Sequence, residues 1–248
     1  MSVERLDKLV SLNCGVSRRD ARKLIKEGKV SVNGELALKA ETAIDPEKDG
    51  IAVEGYRFTL REHVYIMLNK PEGVISASAD PKKKTVVDLV PDDLRRRSLF
   101  PAGRLDRDTT GLLIITDDGD FTHRLLSPTH HVFKTYIARL DCPMAEEKAQ
   151  LLRSGITLED GTACLPAFVR TYTENGSPFA EIRIREGKYH QVKKMCAACG
   201  CHVEALRRVA IGALRLDENL APGECRECTD EELALLFAET AQPEERTE

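Results

Sequence analysis

The feature that most limits how this chain can fold is a cluster of charges directly before an apolar strand. Residues 103–119 read GRLDRDTTGLLIITDDG, and the pattern predicts a strand over Leu112–Thr116 followed by a turn. Because such a strand must be largely buried, the charges just before it, among them Arg104 and Asp106, lie at the edge of a core. Burying a charge there destabilises the fold unless the charge is ion-paired, so an unpaired charge indicates a functional site. The run therefore predicts an ion-paired turn or a functional site at the end of a strand.

The two aspartates between these arginines and the strand allow two interpretations. Both can shape the turn through hydrogen bonds with the hydroxyls of Thr109 and Thr110. We favour that role for Asp108. For Asp106, which Arg104 and Arg107 bracket, composition leaves the choice between turn and site open.

A second group of polar residues follows another predicted strand, Ala180–Arg185. Residues 187–195 read GKYHQVKKM, in which a glycine turn, three lysines and His190 precede an apolar helix. An edge between a loop and a helix suits a phosphate backbone or a carboxylate. A lone histidine is more often a hydrogen-bonded structural residue, and that alternative stays open for His190.

The N-terminal segment predicts two helices and a hairpin. Ser2 can cap a helix that runs through Val10. Ser17 can cap a second helix that ends at Gly28, and Asn33-Gly34 is typical of a two-residue hairpin turn. The unit is therefore helix, helix, hairpin.

The second predicted helix carries a basic face. At about 100° per residue its five cations fall within an arc of about 140°, and Ala21, Leu24 and Ile25 fall on the other side. The five cations are Arg18, Arg19, Arg22, Lys23 and Lys26. No acid of this helix relieves the charge on that face. It is therefore either a phosphate-binding surface or an ordinary solvated one.

Composition and charge exclude several classes of protein. Of 248 residues, 42% are hydrophobic and 31% charged, which is typical of a globular chain. No stretch approaches the roughly 18 apolar residues of a membrane span, and no signal-peptide block is present, so we expect a cytoplasmic protein. Residues 217–248 hold eleven acids and two arginines, which leaves residues 1–216 with a net charge of +5 and keeps nucleic acid as a partner. Motifs for nucleotide hydrolysis, zinc proteolysis and serine hydrolysis are absent.

The eight cysteines offer a rival interpretation. Cys196 with Cys199, and Cys225 with Cys228, form two CxxC pairs, and in a reducing compartment such pairs are reduced thiols or metal ligands. The gap of 25 residues between the pairs is longer than the usual spacing of about 15–20. We expect small core side chains, with a structural zinc site as the alternative.

Together these motifs resemble those of the ribosomal RNA pseudouridine synthases of the RsuA type. Arg5–Asn33 is similar to the small alpha-L RNA-binding domain of that family. The catalytic-domain motifs follow in the family's order as Leu68–Gly73, Gly103–Gly119, Lys134–Tyr136 and Gly187–Met195. The string GRLDxDTxGLLxxT is highly specific, and the resemblance covers nearly the whole chain.

The resemblance implies an α+β fold with two domains. Residues 1–58 correspond to the small helical RNA-binding domain. Residues 59–240 correspond to a catalytic domain with a mixed, mostly antiparallel β-sheet flanked by helices and loops, and residues 241–248 form a polar tail.

The implied activity is the isomerisation of a uridine to pseudouridine in ribosomal RNA, without a cofactor or a metal. Residues 127–136 and 187–195 are closer to the enzymes that modify 16S RNA than to their 23S-directed relatives. We therefore expect a 16S target, with a 23S target as the alternative. The uridine must leave its stack to be reached, so a flipped base in a pocket is expected.

The resemblance also implies roles for three residues. Asp106 matches the aspartate that the family requires, which acts on the ribose as a nucleophile or as a base. Tyr136 matches a tyrosine that stacks on the base and helps to remove the carbon 5 proton, with an ordinary core tyrosine as the alternative. Lys193 matches a basic residue that pairs with the aspartate and favours its ionised form.

RNA contacts are expected at Arg104, His190 and Lys70, and at the five cations of the second helix. The implied partner is ribosomal RNA or the assembling small subunit, bound by a monomer and away from any membrane. Two functions of other classes stay open: a catalytically silent ribosome-binding or assembly factor, and a zinc-organised RNA-binding protein.

Overall fold

The computed structural model describes residues 3–46, 48–58, 63–92, 94–95, 98–130 and 132–238. These residues form two compact units, one within Met1–Val64 and Pro91–Leu99 and the other within Tyr65–Val90 and Phe100–Glu248. Residue 59, where the sequence places the start of the catalytic domain, and the expected polar tail, residues 241–248, lie outside the described residues.

The first unit consists of two helices and short strands. Its elements are β1 (Glu4–Arg5), α1 (Leu6–Asn13), α2 (Arg18–Lys26), β2 (Val30–Val32), β3 (Glu35–Leu36), β4 (Ala43–Ile44), β5 (Ile51–Val53) and β6 (Tyr56–Phe58). Strands β3, β2, β5 and β6 form an antiparallel sheet in that order, and β1 pairs with β4.

The predicted N-terminal cap is confirmed for α2 and is wrong for α1. The Ser17 hydroxyl accepts a backbone N–H in the first turn of α2, as predicted, and Asn33-Gly34 turns between β2 and β3 with φ of 52° and 88°. Helix α1, however, begins at Leu6 and not after Ser2. The two residues before Leu6 pair with β4 as a strand, so the backbone there is extended and not helical.

A buried carboxylate in α1 organises the basic surface of the first unit. Asp7 is fully buried, and its oxygens accept hydrogen bonds from Arg5, Arg18 and Arg22 at 2.8 to 3.1 Å. Burial alone would raise the pKa of Asp7, but the three guanidiniums outweigh it and lower the pKa to about 2. Asp7 therefore neutralises part of the basic face of α2, a contact that the periodicity of α2 by itself cannot reveal.

We expect Asp7→Asn to lower the free energy of unfolding at pH 7. The pKa of Asp7 falls from 3.8 to about 2 on folding, which corresponds to roughly 2 kcal/mol. This stabilisation is complete above the unfolded pKa and is lost as the pH falls through about 2. Urea unfolding should therefore separate parent and variant at pH 7 and bring them together near pH 2. Glu35→Gln, which removes an exposed acid of β3, should behave like the parent. Equal stability of Asp7→Asn and parent at pH 7 would contradict this role.

The second unit is built on one large sheet. Its strands are β7 (Tyr65–Lys70), β8 (Phe100–Pro101), β9 (Thr109–Thr116), β10 (Lys134–Leu140), β11 (Ile156–Thr157), β12 (Ala163–Cys164), β13 (Phe168–Glu174), β14 (Ser177–Ile184), β15 (Val203–Ile211), β16 (Leu214–Arg215) and β17 (Cys225–Glu227). Its α-helices are α3 (Gly119–Leu126), α4 (Glu146–Ser154), α5 (Gln191–Ala198) and α6 (Asp230–Leu235).

The strand order of this sheet is β13-β14-β10-β15-β9-β7-β17, with β16 added to β15 and β8 to β9. Strands β9 and β15 pair in parallel, and the other described pairs are antiparallel. This mixed, mostly antiparallel sheet with flanking helices confirms the expected α+β class. One face is covered by α3 and by the residues after α6, where Phe121, Leu125 and Leu236 pack on Met67 and Ile114.

The parallel contact between β9 and β15 depends on a glycine. Gly111 has a φ of 100°, and a Cβ there would lie 2.2 Å from the carbonyl oxygen of Arg208. Any other residue at this position would force the two strands apart. The approach places Thr109 opposite Leu206, so the loop before β9 adjoins β15.

Each of the two CxxC pairs includes a buried cysteine. Cys196 and Cys228 are buried, and burial raises the pKa of each thiol to about 12, which keeps both protonated. Within the part of the chain that the structure describes, no three His, Cys, Asp or Glu side chains are grouped so that they could hold a metal ion. None of the described helices is long and apolar enough to cross a membrane.

Candidate active site

The loop that carries Asp106 connects β8 to β9 and is held by the segment after β7. The Ser76 hydroxyl donates to the carbonyl of Leu105 at 2.8 Å and accepts its N–H at 3.0 Å. The Gly73 N–H donates to the carbonyl of Arg107 at 2.8 Å, and the Arg107 Nε donates back to the Gly73 carbonyl at 3.0 Å. The segment after β7 and the loop before β9 are therefore joined by four hydrogen bonds, each of which includes a backbone group.

Lys70 lies beneath this loop. Its side chain is fully buried, and Nζ donates to the carbonyls of Thr109 at 2.8 Å, Pro71 at 3.1 Å and Arg107 at 3.3 Å. Burial lowers its pKa to about 8, against the opposing effect of nearby carboxylates. A fully buried ammonium cannot contact RNA, so the RNA contact predicted at Lys70 is wrong. Lys70 instead holds the backbone on both sides of Asp108.

We expect Lys70→Met to destabilise the second unit by about 3 kcal/mol, because buried carbonyls that lose their donor cost roughly 1–3 kcal/mol each. Methionine has a similar length but cannot donate a hydrogen bond. Thermal unfolding measures the effect. Lys82→Met, at an exposed position in the loop after β7, is the matched control and should unfold like the parent. A Lys70→Met protein as stable as the parent would show that these hydrogen bonds do not hold the loop.

The carboxylate of Asp106 is directed at two side chains of the segment that begins α5. His190 Nε2 lies 3.4 Å from Oδ1, and Lys193 Nζ lies 3.4 Å from Oδ2. The turn itself is closed by the backbone, since the Thr109 N–H donates to the Asp106 carbonyl at 3.1 Å. The Asp106 side chain is 30% exposed and therefore accessible to a ligand. The carboxylate of Asp106 therefore faces His190 and Lys193, and the turn is closed by backbone atoms.

Lys193 contacts a second aspartate as well. Its Nζ lies 2.5 Å from Asp108 Oδ1, and this hydrogen bond lowers the pKa of Asp108. The expected hydroxyl partners do not bind Asp108: Thr110 donates to the carbonyl of Leu206, and the buried hydroxyl of Thr109 has no partner among the described residues. Asp108 therefore holds the lysine that faces Asp106.

The loop before α5 is fixed by a buried glutamine. Gln191 Oε1 accepts the N–H of Lys188 at 3.0 Å, and Nε2 donates to Glu186 at 3.1 Å. His190, which caps α5, has the left-handed conformation with φ 53° and ψ 32°, uncommon for a residue other than glycine. These constraints set the direction of the imidazole toward Asp106.

The predicted catalytic residues line one open cavity. Asp106, Tyr136 and Lys193 are joined there by Arg104 and His190. The remaining lining residues are Leu105, Thr109, Ile184, Gly187, Lys188, Gln191, Val192 and Leu206. The five cations of α2 belong to the first unit.

The apolar wall of this cavity was not predicted from the sequence. Tyr136 is buried on β10, and Ile184 on β14 and Leu206 on β15 lie beside it along the cavity. Ile184 follows the alternation of buried residues along β14, which indicates an inward direction. Alternation does not reveal which inward residues border a cavity. The wall gives a planar base an apolar surface, with the carboxylate of Asp106 at its edge.

Two family models match the chain. The model described as RNA pseudouridylate synthase matches residues 64–198, which include every cavity-lining residue except Leu206. The model described as S4 domain matches residues 4–49, within the first unit.

Known proteins are similar over nearly the full length. The chain is 43% identical to an uncharacterized RNA pseudouridine synthase of Bacillus subtilis, over 94% of this chain and 98% of that protein. It is 40% identical to the ribosomal small subunit pseudouridine synthase A of Escherichia coli, over 94% and 99% respectively. A crystal structure of a pseudouridylate synthase matches with a TM-score of 0.64 and 38% identity, over 94% of this chain and 99% of that one.

Proposed function

The chain belongs to the RNA pseudouridylate synthase family, and on that premise we propose that it converts a uridine of small-subunit ribosomal RNA to pseudouridine. The convergence of Asp106, Tyr136 and Lys193 on one cavity carries the proposal. The choice of small-subunit RNA is supported by similarity to the Escherichia coli enzyme that carries that substrate in its name.

The reaction is an isomerisation within one nucleotide. The bond between uracil N1 and the ribose breaks, the base turns, and carbon 5 bonds to the ribose in place of N1. Carbon 5 loses its proton and N1 gains one, so the substrate and the product have the same composition. The protein must act on the sugar, hold the freed base and move one proton.

Asp106 acts on the sugar in this proposal. Its carboxylate is partly exposed, and both possible roles, attack on the ribose and removal of a ribose proton, require the ionised form. Lys193 places its ammonium 3.4 Å from Oδ2 of this carboxylate. Asp108, at 2.5 Å from the same Nζ, fixes the lysine in position.

Tyr136 binds the uracil base in this proposal and acts on its carbon 5 proton. Its ring borders the cavity with Ile184 and Leu206, so a uracil can stack there after it leaves the RNA. Its hydroxyl is the group that we assign to the carbon 5 proton. Arg104 and His190 line the same cavity and are assigned to the RNA around the flipped nucleotide.

The first unit contributes affinity. Arg18, Arg19, Arg22, Lys23 and Lys26 of α2 are assigned to phosphate contacts, with Asp7 holding two of the arginines in place. The substrate is the free small-subunit RNA or the assembling subunit, and the protein acts on it as a monomer in the cytoplasm.

Mapping pseudouridine in ribosomal RNA tests the proposal. RNA from cells with and without the gene, and from cells supplied with the parent or the Asp106→Asn protein, is compared position by position. We expect one uridine of the small-subunit RNA to lose its modification without the gene and to regain it only with the parent. A change confined to large-subunit RNA would overturn the substrate. Unchanged RNA would favour a catalytically silent ribosome-binding factor.

A further inference from the structure

One large aromatic side chain near the cavity is exposed. Tyr189 is 73% exposed, and its ring is stacked on the imidazole of His190 with 3.9 Å between centroids and 17° between planes. Lys194 Nζ lies 5.3 Å from the centre of the same ring. An aromatic ring with this exposure contributes little to a core, but it can stack on a planar ligand.

The ring is held in place before any ligand arrives. Gln191 fixes the loop by its bonds to Lys188 and Glu186, and Lys194 is anchored by Asp160 at 2.6 Å. Because little conformational freedom is left to lose, binding to this ring has a low entropic cost. The loop therefore presents Tyr189 as a rigid platform.

The platform adjoins the reacting centre. The imidazole beneath the Tyr189 ring is the same one whose Nε2 faces Asp106 at 3.4 Å. A nucleotide whose uracil enters the cavity leaves its neighbour in the RNA without a stacking partner. An exposed aromatic ring one side chain away from Asp106 can replace that partner, and every base has a face that stacks on it.

We propose that Tyr189 is a stacking site for an unpaired base next to the target uridine. The inference rests on the proposed function for the identity of the ligand as RNA. The alternative is that Tyr189 only holds His190 in place. Stacking would strengthen RNA binding, whereas support of His190 would change the rate of the bound complex and leave RNA affinity as it is.

The chain contains no tryptophan, which allows a direct test. Tyr189→Trp introduces a single indole whose fluorescence is quenched when a base stacks on it. Tyr172→Trp is the matched control. The Tyr172 ring also stacks on an aromatic ring, with 5.5 Å between its centroid and that of Phe179, and the Arg170 guanidinium lies 5.4 Å from its centre, but Tyr172 lies on β13 and not in the loop before α5. The probe is a short single-stranded RNA that contains uridine, with saturation followed independently by anisotropy of a label on the RNA.

We expect saturable quenching of the Tyr189→Trp protein and none of the Tyr172→Trp protein. Tyr189→Ala should weaken RNA binding about tenfold, as is usual for the loss of one base–aromatic stack, and Tyr189→Phe should bind like the parent. Unchanged emission of the Tyr189→Trp protein at saturating RNA would overturn the inference. So would a Tyr189→Ala protein with parental affinity and a reduced rate. The assay needs no turnover, so it is independent of whether pseudouridine forms.

Discussion

Asp106→Asn should abolish pseudouridine formation, with a loss of about 1,000-fold or more, while folding and RNA affinity stay near those of the parent. Asparagine keeps the size of the side chain but removes the charge and the reactive oxygen. The turn should survive, because the Asp106 backbone carbonyl closes it at 3.1 Å from the Thr109 nitrogen. Release of tritium from carbon 5 of labelled uridine in RNA measures the reaction, and anisotropy of labelled RNA measures binding.

Two further variants separate chemistry from loop shape. Asp80→Asn is the silent control, because Asp80 accepts two backbone N–H groups at 2.8 Å in an exposed turn, and asparagine can do the same. Asp108→Asn should slow the reaction without abolishing it, since Asp108 holds Lys193 but is not the carboxylate aimed at the ribose. Activity of Asp106→Asn near that of the parent would remove the catalytic assignment and favour the silent ribosome-binding function.

Much of the site was predictable because its residues lie in short motifs at the ends of strands. Asp106 precedes β9, Tyr136 lies on β10 and Lys193 follows β14 in α5. Strands β10, β15 and β9 are neighbours in the sheet, so residues distant in the sequence meet at one cavity. The charges before a buried strand indicated a site but not its chemistry. The family resemblance supplied the roles.

Lys70 and Asp7 have surroundings that the sequence did not reveal, and the two cases share one physical cause. Lys70 lies in the run NKPEG, residues 69–73, whose composition is typical of an exposed turn. Its ammonium is buried because three backbone carbonyls, which only the folded chain brings together, accept its hydrogen bonds. Asp7 is similar, because its partners Arg18 and Arg22 lie on another helix. Periodicity describes one element at a time. It cannot predict a charge that is satisfied by a different element.

Tyr136→Phe should lower the rate of the bound complex by about 100- to 10,000-fold, the usual contribution of a positioned proton-transfer group, with little change in KM. The ring that borders the cavity beside Ile184 and Leu206 remains, so the base can still stack. The hydroxyl assigned to the carbon 5 proton is gone. Single-turnover reactions with an excess of protein separate the rate of the bound complex from binding.

Tyr136→Leu provides the comparison, because it removes the hydroxyl and the aromatic face together. If the ring holds the base and the hydroxyl moves the proton, Tyr136→Leu should raise KM as well as lower the rate. RNA labelled with tritium at carbon 5 separates the steps further. With Tyr136→Phe, tritium release should be slowed as much as pseudouridine formation, because both require loss of the proton from carbon 5. A Tyr136→Phe protein with the parental rate would assign proton removal to another group. Tyr136 would then be a stacking surface alone, and Asp106 and Lys193 would remain as the reactive pair.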